Sequence, residues 1–197
     1  MPNWCNNTVE ITHNDPAMIK ELVEAVNAGK FLHYACPIPD DLHIVAGRVG
    51  SDDEEKQKDL VAQEEANLAK HGYRNWYDFC TNEWGTKWDV DAIETIELEG
   101  DVDHITFGFD SAWSPPTGAM AYLVDKGFTV KLYYYEPGMA FAGVWENGDD
   151  DYYELGGMSS KEAQANLPPE LDEMFGISEC IAEYEAEEEQ EEENENE

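Results

Sequence analysis

The chain has 197 residues, 42% hydrophobic and 12% aromatic, and it carries 45 acidic against 11 basic side chains for a formal net charge of −34. That length suits one domain with additions, and the apolar content is enough for a packed core. A field of this sign repels nucleic acid and anionic membrane and attracts basic proteins and cations, so it argues against direct binding of DNA or RNA.

In chain order, Asn7 to Thr12 reads as a first strand, with Val9 and Ile11 on one face. Asp15 is placed to cap a helix that Pro16 opens, Met18, Ile19, Leu22, Val23 and Val26 recur at helical spacing, and Gly29 closes it. Residues 30–85 read as a helical insertion. Phe31 to Leu42 carries Pro37 and Pro39 and reads as loop, and Asp52 to Lys70 as a polar surface helix; Tyr73, Trp76, Tyr77 and Phe79 then pin the chain to something apolar. Ile96 and Leu98 alternate with Glu residues, as Ile105, Phe107 and Phe109 do with small or polar ones, and Gly100-Asp101 between them predicts a hairpin. Ser114 with Pro115 and Pro116 predicts a helix over 115–126. Phe128, Val130, Leu132 and Tyr134 alternate as a strand, and Glu136-Pro137-Gly138 turns it into another, Met139 to Trp145. Residues 148–182 read as a helical extension, with a capping box at Ser159 and Glu162 and a helix opened by Pro168. Residues 183–197 hold ten Glu and no Lys or Arg, which predicts a disordered acidic tail.

Without the insertion and the last strand the order is βαββαβ. The expected fold over residues 1–147 is therefore α+β and ferredoxin-like: a split βαβ antiparallel sheet with two helices on one face and the other face open. The N-terminus shows no basic segment leading into an apolar one, and no run approaches the roughly 20 apolar residues of a membrane helix. Cys5, Cys36, Cys80 and Cys180 form no CxxC pair. Together these features predict free thiols in a reducing cytoplasm.

Four segments carry a resemblance: Pro2-Asn3-Trp4-Cys5-Asn6-Asn7, Trp84-Gly85-Thr86-Lys87-Trp88-Asp89, Ala112-Trp113-Ser114-Pro115-Pro116, and the Tyr135-Glu136-Pro137-Gly138 turn with Phe141, Gly143 and Trp145. In this order they resemble the YubB-like family of phage and plasmid proteins over residues 1–147. The resemblance implies a ferredoxin-like domain and an accessory protein of a mobile element in a bacterial cell. It brings no catalytic residues.

Chemical motifs are sparse. His13, His33, His43, His71 and His104 show no paired metal-ligand spacing, and Cys36 with His33 or His43 reads better as a small thiol beside loop histidines than as a zinc site. Asp149-Asp150-Asp151 lacks the spaced oxygens of a calcium loop and reads as a solvated turn. Cys80 and His71 carry no signal for a nucleophile and base, and no phosphate-cradling glycine loop is present. The residues thus call for no catalytic group, no metal and no cofactor. Two functional readings remain. In the first, the protein binds a host protein with a basic surface or nucleic-acid-binding groove, as a DNA mimic, through Asp52, Asp53, Glu54, Glu55, Asp59, Glu64 and Glu65 on one helix and Glu94, Glu97, Glu99, Asp101 and Asp103 around the first hairpin. In the second, the chain is a small-ligand-binding or enzymatic domain that uses the aromatic region Trp84–Trp88, with Trp84, Lys87, Trp88 and Trp113 as the ligand site, a base stacked on indole and its phosphate on the lysine.

Overall fold

The computed structural model describes residues 3–49 and 54–195. Five strands form: β1 (Trp4–Thr12), β2 (His104–Ala112), β3 (Thr129–Glu136), β4 (Phe141–Glu146) and β5 (Asp149–Glu154), the first two with clear apolar–polar alternation. They form one antiparallel sheet in the order β2-β1-β3-β4-β5. β1 runs with Trp4 opposite Ala112 on one side and Asn6 opposite Tyr135 on the other. The chain is thus α+β around an antiparallel sheet.

The inner face of the sheet holds the larger core. Helix α1 (Pro16–Asn27) starts as its sequence dictates: the Ala17 amide donates to Asp15 Oδ1 at 3.0 Å and Pro16 occupies the first turn. Its stripe of Ile19, Leu22, Val23 and Val26 is buried. α2 (Phe31–Ala35) follows, so the stretch expected as loop opens with a short helix whose Phe31 and Leu32 reach the core. α3 (Glu54–His71) is the polar helix, with only Leu60 and Asn67 buried. Asn67 Nδ2 donates to the carbonyls of Asp41 (2.9 Å) and Arg74 (3.0 Å), which fastens the helix at its C-terminal end. α4 (Trp76–Phe79) is capped by Asn75 and runs into a π-helical turn at Cys80–Trp84. α5 (Thr117–Asp125) lays Ala119, Met120 and Leu123 on Val9, Ile11, Phe109, Val130 and Leu132.

A second, smaller core lies on the outer face of β3 and β4. Here α6 (Ser160–Asn166), α7 (Pro169–Phe175) and α8 (Ile177–Glu195) bring Ala163, Leu167, Leu171 and Ile177 against Tyr133 and Ala142. The Tyr133 hydroxyl donates to Glu170 at 2.8 Å and Lys131 pairs with the same carboxylate at 3.4 Å, tying α7 to the sheet. The Ser159–Glu162 capping box forms as read from the sequence.

Several expectations are corrected. The outer face is not open, because α6–α8 cover it along β3 and β4. Ile96 to Leu98 is no strand: the pairing with β2 lies just before it, in a bridge from Ala92 to Phe109 and a bond from the Ile93 amide to the Gly108 carbonyl (2.9 Å), so the first hairpin does not form. Both polar groups of the Ile96 backbone are taken by the Asn27 side chain, whose Nδ2 donates to the Ile96 carbonyl (2.9 Å) and whose Oδ1 accepts the Ile96 amide (3.0 Å). Asp149 to Asp151 is not a turn but half of edge strand β5, the turn falling at Asn147-Gly148. The extension after 147 is therefore not purely helical. Ser114 does not cap α5; its hydroxyl donates to the Gly85 carbonyl. Where a disordered tail is expected from Glu183, the described residues continue α8 to Glu195, and Asn196 and Glu197 lie outside the described residues. Glu185 accepts the Ser160 amide (3.0 Å) and hydroxyl (2.6 Å), so the helix is anchored beyond its apolar start and its charge sits at the N-terminal end of α6. Among the described residues no helix is long and apolar enough to cross a membrane.

Candidate binding cleft

The four segments that carry the resemblance meet at one end of the sheet. Thr86 is buried and its Oγ1 donates to the Ala112 carbonyl at 2.8 Å. Ser111 Oγ donates to the Ser114 carbonyl (2.8 Å) and accepts from Asn7 Nδ2 (2.9 Å). The Trp113 amide donates to the Asn3 carbonyl at 2.9 Å, and Asn3 abuts Gly138, where an added Cβ would lie 2.7 Å from Asn3 Nδ2. Gly85 takes the left-handed conformation (φ +86) that turns the chain out of the π-helical segment. A Cβ at Gly118 would overlap the Glu83 carbonyl, so glycine lets α5 touch that turn.

This framework displays aromatic rings. Trp113 has φ +70, a strained value for a bulky residue, and is 42% exposed. Lys87 Nζ lies 4.2 Å from the Trp88 ring centroid, 5.3 Å from Trp113 and 5.7 Å from Tyr77. Next to it a cleft of about 530 Å³ opens between the 84–89 loop and the 30–43 segment. Trp76, Trp84 and Trp88 supply its aromatic surface, Ile38 and Cys80 its aliphatic surface, and Lys30, His33, His43 and Lys87 its cations and imidazoles.

Asp89 is the lining's one carboxylate, and its oxygens are committed to backbone. Oδ1 accepts the amides of Leu32 (2.8 Å) and Val90 (2.9 Å), and Oδ2 that of His33 (2.9 Å), so Asp89 caps α2. Burial raises its pKa, against the pull of those three amides. His33 Nδ1 accepts the Ile38 amide at 3.4 Å, which leaves Nε2 as the protonated nitrogen of the neutral ring.

Of the four residues read from the sequence as a ligand site, Lys87, Trp88 and Trp113 come together. Trp84 is 2% exposed, and its indole N–H donates to the Cys36 carbonyl at 2.8 Å, so it forms part of the cleft wall and offers no open stacking face. Lys30, His43 and Trp76 were missed as lining residues, because they lie outside the 84–88 stretch of the chain and no spacing connects them to it; Asp89, next to Trp88, was read only as part of the resemblance. Beside the cleft, the Glu83 carboxylate accepts the hydroxyls of both Tyr73 and Tyr122. That bond pushes the Tyr73 pKa up to about 12 and raises that of Tyr122 as well.

The acidic candidates fall in two settings. Glu54, Glu55, Asp59, Glu64 and Glu65 stand on α3, interleaved with Lys56, Lys58 and Lys70. Glu94, Glu97, Glu99, Asp101 and Asp103 lie on the irregular segment before β2. Asp52 and Asp53 lie outside the described residues. Among the described residues no three His, Cys, Asp or Glu are grouped to hold a metal ion.

No family model matches the chain, and no curated protein matches it. A solved structure, the crystal structure of a protein api92 from Yersinia pseudotuberculosis with the family model DUF1281, aligns over 78% of this chain and 98% of its own, at 12% identity and a TM-score of 0.41. A likeness at that level carries neither fold nor function across.

Proposed function

We propose that the protein is a non-enzymatic accessory protein of a phage or other mobile element, built on a ferredoxin-like domain, that acts in the bacterial cytoplasm by binding a basic host protein in place of nucleic acid. The distribution of charge carries this reading. Residues 148–197 hold 19 acidic side chains against one lysine, Lys161, so just over half of the net charge of −34 sits on a quarter of the chain. That quarter is built of strand and helix, which limits the entropy lost when its carboxylates meet a partner. α8 alone spans 19 residues, about 28 Å at 1.5 Å per residue, and bears ten Glu and no basic residue. Duplex DNA presents one charge per about 1.7 Å, so such a rod approximates part of its charge density. The α3 carboxylates extend the acidic surface at lower net density because three lysines stand among them. The four segments resembling the YubB-like family supply the mobile-element setting.

The test is a pull-down from bacterial lysate at low and high salt, followed by competition with duplex DNA for each captured protein. A nucleic-acid-acting partner that is lost at high salt and displaced by DNA supports the reading. Charge reversal at Glu183, Glu187 and Glu188 is expected to slow association more than reversal at Glu54, Glu55 and Asp59. A partner that holds DNA and this protein together without interference sinks the mimicry.

A further inference from the structure

We propose that the cleft between the 84–89 loop and the 30–43 segment binds a nucleoside monophosphate, its ring stacked on Trp88 and its phosphate paired with Lys87 and Lys30. This site is separate from the acidic C-terminal layer and does not rest on that layer's role.

Charge is the first argument. In a protein with 45 carboxylates, neither Lys87 nor Lys30 forms an ion pair among the described residues: the pairs there are Lys70 and His71 with Asp41, His104 with Asp103, and Lys131 with Glu170. The Asp89 carboxylate is spent on backbone amides. The cleft is thus a cationic depression in an anionic surface. An ammonium ion resting on aromatic faces keeps N–H donors free to meet a phosphate.

Shape is the second. About 530 Å³ lies inside the usual range for small-molecule sites. Trp88 is 41% exposed and borders the cleft, so an indole surface is open to a planar ring. Stacking of a base on an aromatic side chain is a recurrent source of affinity in single-strand binders and tolerates any base.

Preorganisation is the third. Thr86, Ser111, Ser114 and Asn7 fasten the loops to the end of the sheet through side-chain hydrogen bonds, and Trp113 is held in a strained backbone conformation beside Lys87. Strain of this kind clusters at ligand sites. A longer nucleic-acid strand is disfavoured because its flanking phosphates would meet the surrounding carboxylates.

The experiment follows the tryptophan indole resonances by nitrogen–proton NMR during titration with adenosine monophosphate, adenosine, inorganic phosphate and a short single-stranded deoxyoligonucleotide. Adenosine monophosphate is expected to shift the Trp88 resonance saturably, with a Kd of about 1 mM or tighter. Adenosine and phosphate should each bind at least about tenfold more weakly, and the oligonucleotide more weakly than the monophosphate. Lys87→Ala should weaken binding about tenfold or more while Lys87→Arg retains it to within a few-fold. Lys30→Ala gives a second reading on a side chain exposed enough to leave the fold intact, and Lys161→Ala on the far layer should change nothing. The proposal is overturned if adenosine monophosphate gives no saturable shift, if adenosine binds as well as its phosphate, or if both lysine-to-alanine variants bind normally. Tighter binding of the oligonucleotide overturns it in favour of a strand.

Discussion

The two faces of the sheet are covered in different ways. On the inner face, 26 buried residues form one cluster that runs from α1 and α2 through β1, β2 and β3 to the π-helical turn. On the outer face seven buried residues join α6–α8 to β3, β4 and the chain just past β5. The inner layer is aromatic, with Phe31, Phe107 and Phe109 packed edge-on or tilted against one another. The outer layer is thin, and its helices carry 14 carboxylates among 33 residues. A layer that buries little apolar area is held on by few contacts and opens first. The inner layer is therefore the folding unit that holds the cleft in shape, while the outer layer is a charged cover docked onto a finished sheet.

The strongest test of this contrast is a pair of truncations. Phe109→Ala, at a fully buried site, should destabilise the whole molecule by about 3–5 kcal/mol. Leu171→Ala, buried equally but in the small cluster, should cost about 2 kcal/mol. Its loss should appear in hydrogen exchange as faster opening of α6–α8 with β1 unaffected. If Leu171→Ala instead raises exchange evenly across β1 and β2, the layers are one cooperative unit. Next in size, Gly118→Ala places a methyl on the Glu83 carbonyl and should cost about 1–3 kcal/mol in thermal or urea unfolding, with the indole resonances of Trp84 and Trp88 displaced. Unchanged stability would mean that α5 slides freely against the turn.

A smaller effect is expected from alkali. The Glu83 bond raises Tyr73 from 10.0 to about 12 in the folded protein. A raised tyrosine pKa means that the fold binds that proton more tightly. The contribution is then fully present below pH 10 and is lost as pH climbs through about 12. Phenolate absorbance should show late-titrating tyrosines, one fewer in Tyr73→Phe and one fewer in Tyr122→Phe, with Tyr134 still among those that remain. The smallest effect is one of rate. Burial pushes the Cys5 and Cys80 thiols up to about 12, whereas Cys36 and Cys180 are partly exposed. Alkylation with mass-spectrometric readout should label Cys180 and Cys36 well before the other two, because the thiolate is the reacting form.

Where local chemistry and tertiary packing agree, the structure was legible in the chain. Asp15-Pro16 with its apolar stripe gave α1 to within a residue of its end, and Ser159 with Glu162 gave the start of α6. The alternation in Val130, Leu132 and Tyr134 gave the inward face of β3. Where a distant side chain decides, the chain misled. Ile96 and Leu98 have a strand's alternation, but Asn27, some seventy residues earlier, takes the backbone bonds a neighbouring strand would need. Three consecutive aspartates read as a turn because strand propensity disfavours them. They form β5 because β4 offers a partner on one side and water receives the carboxylates on the other. The cleft was half legible: Trp84, Lys87 and Trp88 stood out as a group and line it, Trp113 stands beside Lys87 outside the lining, and Lys30, His43 and Trp76 reach it only through the fold.

β5 ends the sheet with Asp149, Asp150, Asp151 and Glu154, and all four are exposed. A bare strand edge is a template on which another copy of the chain can add, and charged residues blunt it. Here the guard depends on ionisation. Replacing the four by Asn and Gln would remove the repulsion between copies and leave the row of unpaired amides and carbonyls in place. The edge that keeps copies apart should then let sheets join end to end, so the neutral variant should pass from a well-dispersed protein into fibres or precipitate while its inner core stays folded.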